Sequence, residues 1–174
     1  MQTEFKSSPL PQASAVTAAT QQAFRSAMAQ LGAAVHVVTT DGPGGRAGFS
    51  ASAVCSVTDS PPTVLVCLNR GSSAYQATVA NGIVCINTLS AEQQPMSAAF
   101  AGKTPMHERF EHGAWKNRQG YAPVLEGSAM SIDCRITSRV PVGTHDILVC
   151  EVLGIEDNEA GSCLIYFNRQ YHRL

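Results

Sequence analysis

The chain has 174 residues, a length suited to one domain with a substantial core. Hydrophobic residues make up 44% and charged residues only 14%, below the usual quarter, so the chain is expected to hide surface against a second copy of itself. A net charge of −1 and the lack of a long apolar run argue against nucleic acid, an anionic membrane surface or a membrane span.

Residues Met1 to about Val16 are rich in Ser, Pro, Gln and Ala and read as a mobile tail, without the apolar segment of a secretory signal. Residues 17–174 then form the single domain. From Thr20, the residues Phe24, Ala27, Met28 and Leu31 fall at helical spacing, which predicts an amphipathic helix ending near Gly32. Ala34–Thr40 reads as a strand, Asp41–Gly45 as a turn and Ala47–Val57 as one returning strand. After the Pro61-Pro62 turn comes an apolar strand, Thr63–Leu68. Ser72 is placed to cap a short helix through Val79. Ile83–Thr88 is a further strand, and Ser90 caps a helix through Phe100. Residues 101–123 read as a long irregular excursion. Three strands follow, at about Ala129–Val140, Asp146–Ile155 and Cys163–Phe167. The chain is thus mainly β with short helices, and the lack of β-α-β alternation favours an antiparallel barrel over a doubly wound sheet.

Six cysteines stand without a close-spaced pair, mostly inside apolar runs such as VLVCL and ILVCEV. They read as small buried thiols rather than metal ligands, which implies a reducing, cytoplasmic setting. Three motif-like stretches fail on inspection. The glycines of GPGGRAG precede a strand rather than a helix, so they mark a hairpin and not a dinucleotide fingerprint. Gly102-Lys103-Thr104 lacks the first glycine and the preceding strand of a phosphate loop. His107 and His112 are five apart, which misaligns them for one metal, and no other metal set is expected. G-x-S-x-G is also missing from the chain, so a serine hydrolase is unsupported.

Four stretches carry chemistry. Asn69-Arg70-Gly71-Ser72-Ser73 joins a strand to a predicted helix, and its hydroxyls, glycine and cation suit a phosphate; the alternative is an ordinary helix cap with a surface Arg. Phe49-Ser50-Ala51-Ser52-Ala53 is small and hydroxylic, which lets a flat ring approach a strand; a crowded barrel interior would want the same residues. His145, at the entrance to a strand, could donate a hydrogen bond to a substrate amide or sit in a loop without a role. Tyr171, in the basic and aromatic terminus Asn168–Leu174, could stack on a planar ligand, although a mobile terminus is the default. His36 lies within a strand pattern and is read as structural.

Taken in order, GFSASAVCSVTDSPPTVLVCLNR, CINTLSAEQ, FAGKTPMHERF, VGTHDILVCEV and LIYFNRQYHRL resemble the flavin reductase-like family. Its members are the small reductase components of two-component flavin-dependent monooxygenases. Within it the chain is similar to the reductases of 4-hydroxyphenylacetate 3-monooxygenase and of pyrimidine utilisation, and GRAGF, GKTPM and VGTHDI lean towards the latter. The resemblance runs from about Phe24 to Leu174. It implies an FMN-binding antiparallel split β-barrel, usually a homodimer, that moves hydride from NADH or NADPH to FMN or FAD and supplies reduced flavin to an oxygenase component. Carried over by position, it implies that Ser50, Ala51 and Ser52 meet the ring edge. Asn69, Arg70, Ser72 and Ser73 would hold the phosphate end. Asn87, Leu89, Phe100, Ala101, Gly102 and Lys103 would enclose the flavin, His145 would lie by the nicotinamide, and Tyr171 would be the C-terminal aromatic. The competing expectations are a flavin-binding protein without turnover and a flavoprotein with tightly bound FMN that reduces an iron chelate or quinone.

Overall fold

A computed structural model describes residues 20–158 and 161–174, so the expected tail at 1–16 lies outside the described residues. The first helix, α1 (Gln21–Met28), starts where Thr20 accepts a hydrogen bond from the Ala23 N–H at 3.0 Å. Its apolar stripe buries nothing: Phe24, Met28 and Leu31 all stay exposed.

Eight of the following elements make the frame. They are β1 (Ala33–Ala34), β2 (His36–Thr40), β3 (Ala47–Ala51), β4 (Val54–Asp59), β5 (Pro62–Asn69), α2 (Tyr75–Asn81), β6 (Ile83–Thr88) and α3 (Gln94–Ala99). A short 3₁₀ turn, Ala91–Gln93, leads into α3, and there Ser90 N–H donates to Gln93 Oε1 as expected of a capped start. Then come α4 (Met106–Arg109), β7 (Trp115–Lys116), β8 (Val124–Leu125), β9 (Met130–Val142), β10 (His145–Asp157), β11 (Leu164–Phe167) and β12 (Gln170–Arg173).

Seven strands form one antiparallel sheet in the order β3-β2-β6-β9-β10-β5-β4. The stretch expected to be one strand over 47–57 is two, and they lie on opposite edges of this sheet. Only Ser52 and Ala53 join them. Two residues reach at most about 10 Å across three peptide units, so the sheet curls until its edges meet at that corner. No ladder pairs β3 with β4 among the described residues, so the sheet is curled but not closed by hydrogen bonds. Val38, Phe49, Val66, Leu68, Ile86 and Leu148 fill the concave side. β5 shows the alternation this demands, with Val64, Val66 and Leu68 inward.

A second cluster, Val35, Val37, Leu89, Met96, Phe100, Leu125 and Leu164, joins the main sheet to a small sheet of order β1-β11-β12. This sheet overturns the expectation of a mobile C-terminus. Asn168 and Arg169 take positive φ (48° and 61°) in a two-residue hairpin that folds β12 back on β11. Helix α2 also differs from expectation. It begins at Tyr75, its N-cap is Ala74 without a side-chain bond, and Ser72 Oγ instead accepts from Ala74 N–H in the preceding turn. Cysteine burial holds for Cys85, Cys134 and Cys150, whereas Cys67 and Cys163 are half-buried and Cys55 is exposed. All six are free thiols, and burial pushes Cys134 and Cys150 up to about 12.

Candidate functional site

Strand register assembles the site. In the β5–β10 ladder His145 stands opposite Asn69, and Arg70 N–H donates to Thr144 carbonyl at 3.0 Å. The β9–β10 turn at Gly143 (φ 54°) thereby sets His145 beside the Asn69–Ser73 loop. The β3–β4 corner closes over the same end of the curled sheet, where Cys67 N–H donates to Ala53 carbonyl. Between them lies a cleft of about 580 Å³.

Ser50, Ala51 and Ser52 line one wall of the cleft, and Asn69, Ser72 and Ser73 line the wall opposite in the chain's numbering. Phe100, Ala101 and Gly102 form a third side, and His145 completes the rim. Ser50 is held firmly: its N–H donates to Phe100 carbonyl at 3.0 Å and its hydroxyl to Ser97 carbonyl at 2.6 Å. Asn69 Oδ1 accepts from Gly71 N–H at 2.8 Å, which shapes the turn of the loop. His145 Nδ1 lies 2.9 Å from Thr144 Oγ1.

Phe100 is fixed from both sides. It packs against Phe110 and Trp115 with ring centroids 5.2 and 5.6 Å away. On its other side is Gly48, where an added Cβ would stand 2.6 Å from the Phe100 ring. The aromatic excursion expected over 101–123 therefore braces a cleft wall.

Five of the expected site residues do not reach the cleft wall. Arg70 turns its guanidinium to Gly143 carbonyl and towards Asp146, where its Nε is 3.8 Å from Oδ1. Asn87 is fully buried, donating to Val37 carbonyl and accepting from Leu125 N–H and the Ser131 hydroxyl. Its polar atoms are spent on the core. Leu89 is likewise fully buried in the second apolar cluster. Lys103 lies in the exposed turn beyond Gly102, and Tyr171 packs on Tyr166 with its hydroxyl 2.9 Å from Ser97 Oγ. Tyr171 thus reaches the site through Ser97, whose carbonyl holds Ser50. His36 is structural as expected: it is buried, Nδ1 is 3.0 Å from Thr88 Oγ1, and burial pushes its imidazole down to about 4.

Arg109 was not expected here, and it lines the cleft at 1% exposure. It sits at the end of α4, within FAGKTPMHERF, a stretch that carries the family resemblance but for which no role of Arg109 was expected. A sign was present: an Arg flanked by an apolar Phe in a segment rich in aromatics. Its Nε donates to Thr104 carbonyl, Nη1 to Gly48 carbonyl and Nη2 to Ser73 Oγ, at 3.0, 2.6 and 3.0 Å. Burial lowers its proton affinity. The cleft lining contains no carboxylate, so this cation and the loop hydroxyls make an anion-accepting end, while Ser50–Ala53 and Phe100 make a flat, partly apolar end. A planar ring bearing a phosphate suits both ends of this donor set. Among the described residues no group of His, Cys, Asp or Glu could hold a metal ion, and no helix is long and apolar enough to cross a membrane.

Comparison with known proteins decides the family. The model of the flavin reductase like domain matches residues 28–174. The chain belongs to the flavin reductase-like family. It is 57% identical over 154 residues to FMN reductase (NADH) RutF 2 of Rhizobium rhizogenes, covering 88% of this chain and 89% of that one. It is 54% identical over 173 residues to FMN reductase (NADH) RutF of Ancylobacter novellus, covering 97% and 96%. Among solved structures, a Haemophilus somnus protein assigned as a flavin reductase superposes with a TM-score of 0.86 at 46% identity, covering 90% of this chain and all of that one. A homologue of nitrilotriacetate monooxygenase component B from Mycobacterium thermoresistibile superposes with a TM-score of 0.82 at 27% identity, covering 88% and 86%. The flavin reductase-like match thus spans the curled sheet, the cleft and β12 together.

Proposed function

We propose that this protein is an NADH-dependent FMN reductase that hands reduced flavin to a separate oxygenase component. The observation that carries the reading is the cleft itself: a flat wall at Ser50–Ala53 faces an anion-accepting end at Ser73 and Arg109, with His145 at the rim. Relatives more than half identical to the chain bear the name FMN reductase (NADH). When bound, the flavin supplies the hydride-accepting chemistry, and the protein supplies position and charge. Ser50 to Ser52 would meet the ring edge, Ser73 and Arg109 the phosphate, and His145 would orient the nicotinamide amide.

The curled sheet is read as a split barrel, its break lying between β3 and β4. Residues 17–174 act as one unit, preceded by a tail. A second copy of the chain is proposed to cover exposed apolar residues of the sheet, among them Val57, Leu153 and Ile155. Six free thiols agree with a reducing cytoplasm.

The test is NADH consumption followed by absorbance, with and without added FMN or FAD. Oxidation that depends on free flavin, and is fastest with FMN, supports the reading. No oxidation with either nicotinamide would leave a flavin-binding protein without turnover. Yellow colour that survives gel filtration, with electrons passing to an iron chelate or quinone, would replace it with a flavoprotein holding FMN permanently.

A further inference from the structure

The β9–β10 hairpin turns on two residues, Gly143 and Thr144, so that His145 pairs with Val142 across it. Such a turn leaves the carbonyls of its two central residues without a partner inside the hairpin ladder. Arg70 takes both. Its main-chain N–H donates to Thr144 carbonyl at 3.0 Å, and its guanidinium donates to Gly143 carbonyl. Its Nε also stands 3.8 Å from Asp146 Oδ1, on the other side of His145. One residue therefore grips the chain before and after His145, while its neighbour Asn69 stands opposite His145 in the β5–β10 ladder.

Charge pairing does not account for this grip. Arg139 also reaches Asp146, and more closely, at 3.3 Å. An ion pair at 3.8 Å whose arginine side chain is 43% exposed is worth little. What Arg70 adds is the hold on the turn. Within the turn Thr144 Oγ1 lies 2.9 Å from His145 Nδ1, which fixes the ring and leaves Nε2 for a ligand. We infer that Arg70 is a positioning residue: by holding the Gly143-Thr144 turn it aims His145 at the cleft rim, and so sets how tightly the nicotinamide is held without touching the flavin. This rests on the reductase reading and adds to it a residue that acts through His145. The role differs from the phosphate contact that its place in the Asn69–Ser73 loop implies.

The test is a double-mutant cycle of Arg70→Ala and His145→Ala, read by the KM for NADH and, through flavin fluorescence, by the Kd of FMN and of riboflavin. The Arg70 side chain is exposed and its main-chain bond is kept, so Arg70→Ala is expected to fold. It should raise the KM for NADH about 3- to 10-fold, the net worth of one hydrogen bond, with kcat and both flavin Kd values held within about twofold. In the His145→Ala background the same substitution should change that KM by less than about twofold. Equal effects in both backgrounds overturn the inference. A loss of affinity for FMN but not for riboflavin also overturns it, by making Arg70 a phosphate contact. Amide exchange in the flavin-free protein gives a readout independent of turnover: the segment 142–146 should exchange about 10-fold faster in Arg70→Ala, and unchanged exchange overturns the inference. Wild type that oxidises no NADH with added flavin would instead overturn the reductase reading, while the exchange result still decides whether Arg70 holds the turn.

Discussion

The Tyr75 hydroxyl donates to the buried carboxylate of Asp146 at 2.7 Å, tying the start of α2 to the strand that carries His145. Arg139 joins the same oxygen at 3.3 Å, while the other, Oδ1, is buried with no hydrogen-bond partner. Asp146 thus gathers the Asn69–Ser73 loop, α2 and the β9–β10 hairpin around one charge. The hydrogen bond to Asp146 also raises the Tyr75 phenol above its ordinary range.

Tyr75→Phe is expected to lower unfolding stability by about 1 kcal/mol, the net worth of one hydrogen bond. Asp146→Ala should lower it by about 1–3 kcal/mol, because its arginine partners are partly in water. Urea unfolding measures both, and the pair should be less than additive because they share one contact.

Among the described residues, the His145 ring at the cleft rim hydrogen-bonds only the neighbouring Thr144 hydroxyl. His145→Ala should raise the KM for NADH about 10-fold, the loss of one good hydrogen bond, while the FMN Kd is kept. Equal steady-state kinetics for variant and wild type would remove His145 from nicotinamide positioning.

Gly48→Ala forces a methyl against the Phe100 ring and beside the carbonyl that receives Arg109. Overpacking of this kind costs about 1–3 kcal/mol. Thermal unfolding should show that loss, and FMN should bind more weakly because both Phe100 and Arg109 line the cleft.

Asn87 serves the core and not the ligand. Asn87→Ala strands Leu125 N–H without its acceptor and leaves the Ser131 hydroxyl only Ser128 Oγ, with an expected loss of about 1–3 kcal/mol. Flavin affinity per folded molecule should stay within about twofold, as read by titration at a temperature well below the lowered midpoint.

The buried His36, with its imidazole near 4 against an ordinary 6.5, sets an acid limb of stability. The unfolded chain takes up a proton near 6.5 and the folded chain does not, so stability is fully present above that value and falls as the pH drops towards 4. The slope reaches about 1.4 kcal/mol per pH unit, for a total of roughly 3 kcal/mol. Urea midpoints of wild type between about pH 7 and 4.5 should fall accordingly, and in His36→Gln most of that dependence should vanish.

By itself the sequence determined the antiparallel strands, the hairpin at Gly42–Gly45, the cleft-lining residues Ser50–Ser52, Asn69, Ser72 and Ser73, and the family. Those features are local, written in alternation, turn residues and short ordered motifs. Tertiary structure decided the rest, because register and curl act between residues far apart. It split the 47–57 stretch between two edges of one sheet and pinned Tyr171 in a strand. It also set His145 opposite Asn69 and turned Arg70 away to Asp146. Burial of Arg109 is the clearest case. Glu108 and Glu111 lie beside it in the chain, yet the packing of α4 against β3 and the loop before α2 turns its guanidinium to the Gly48 carbonyl and the Ser73 hydroxyl at the cleft.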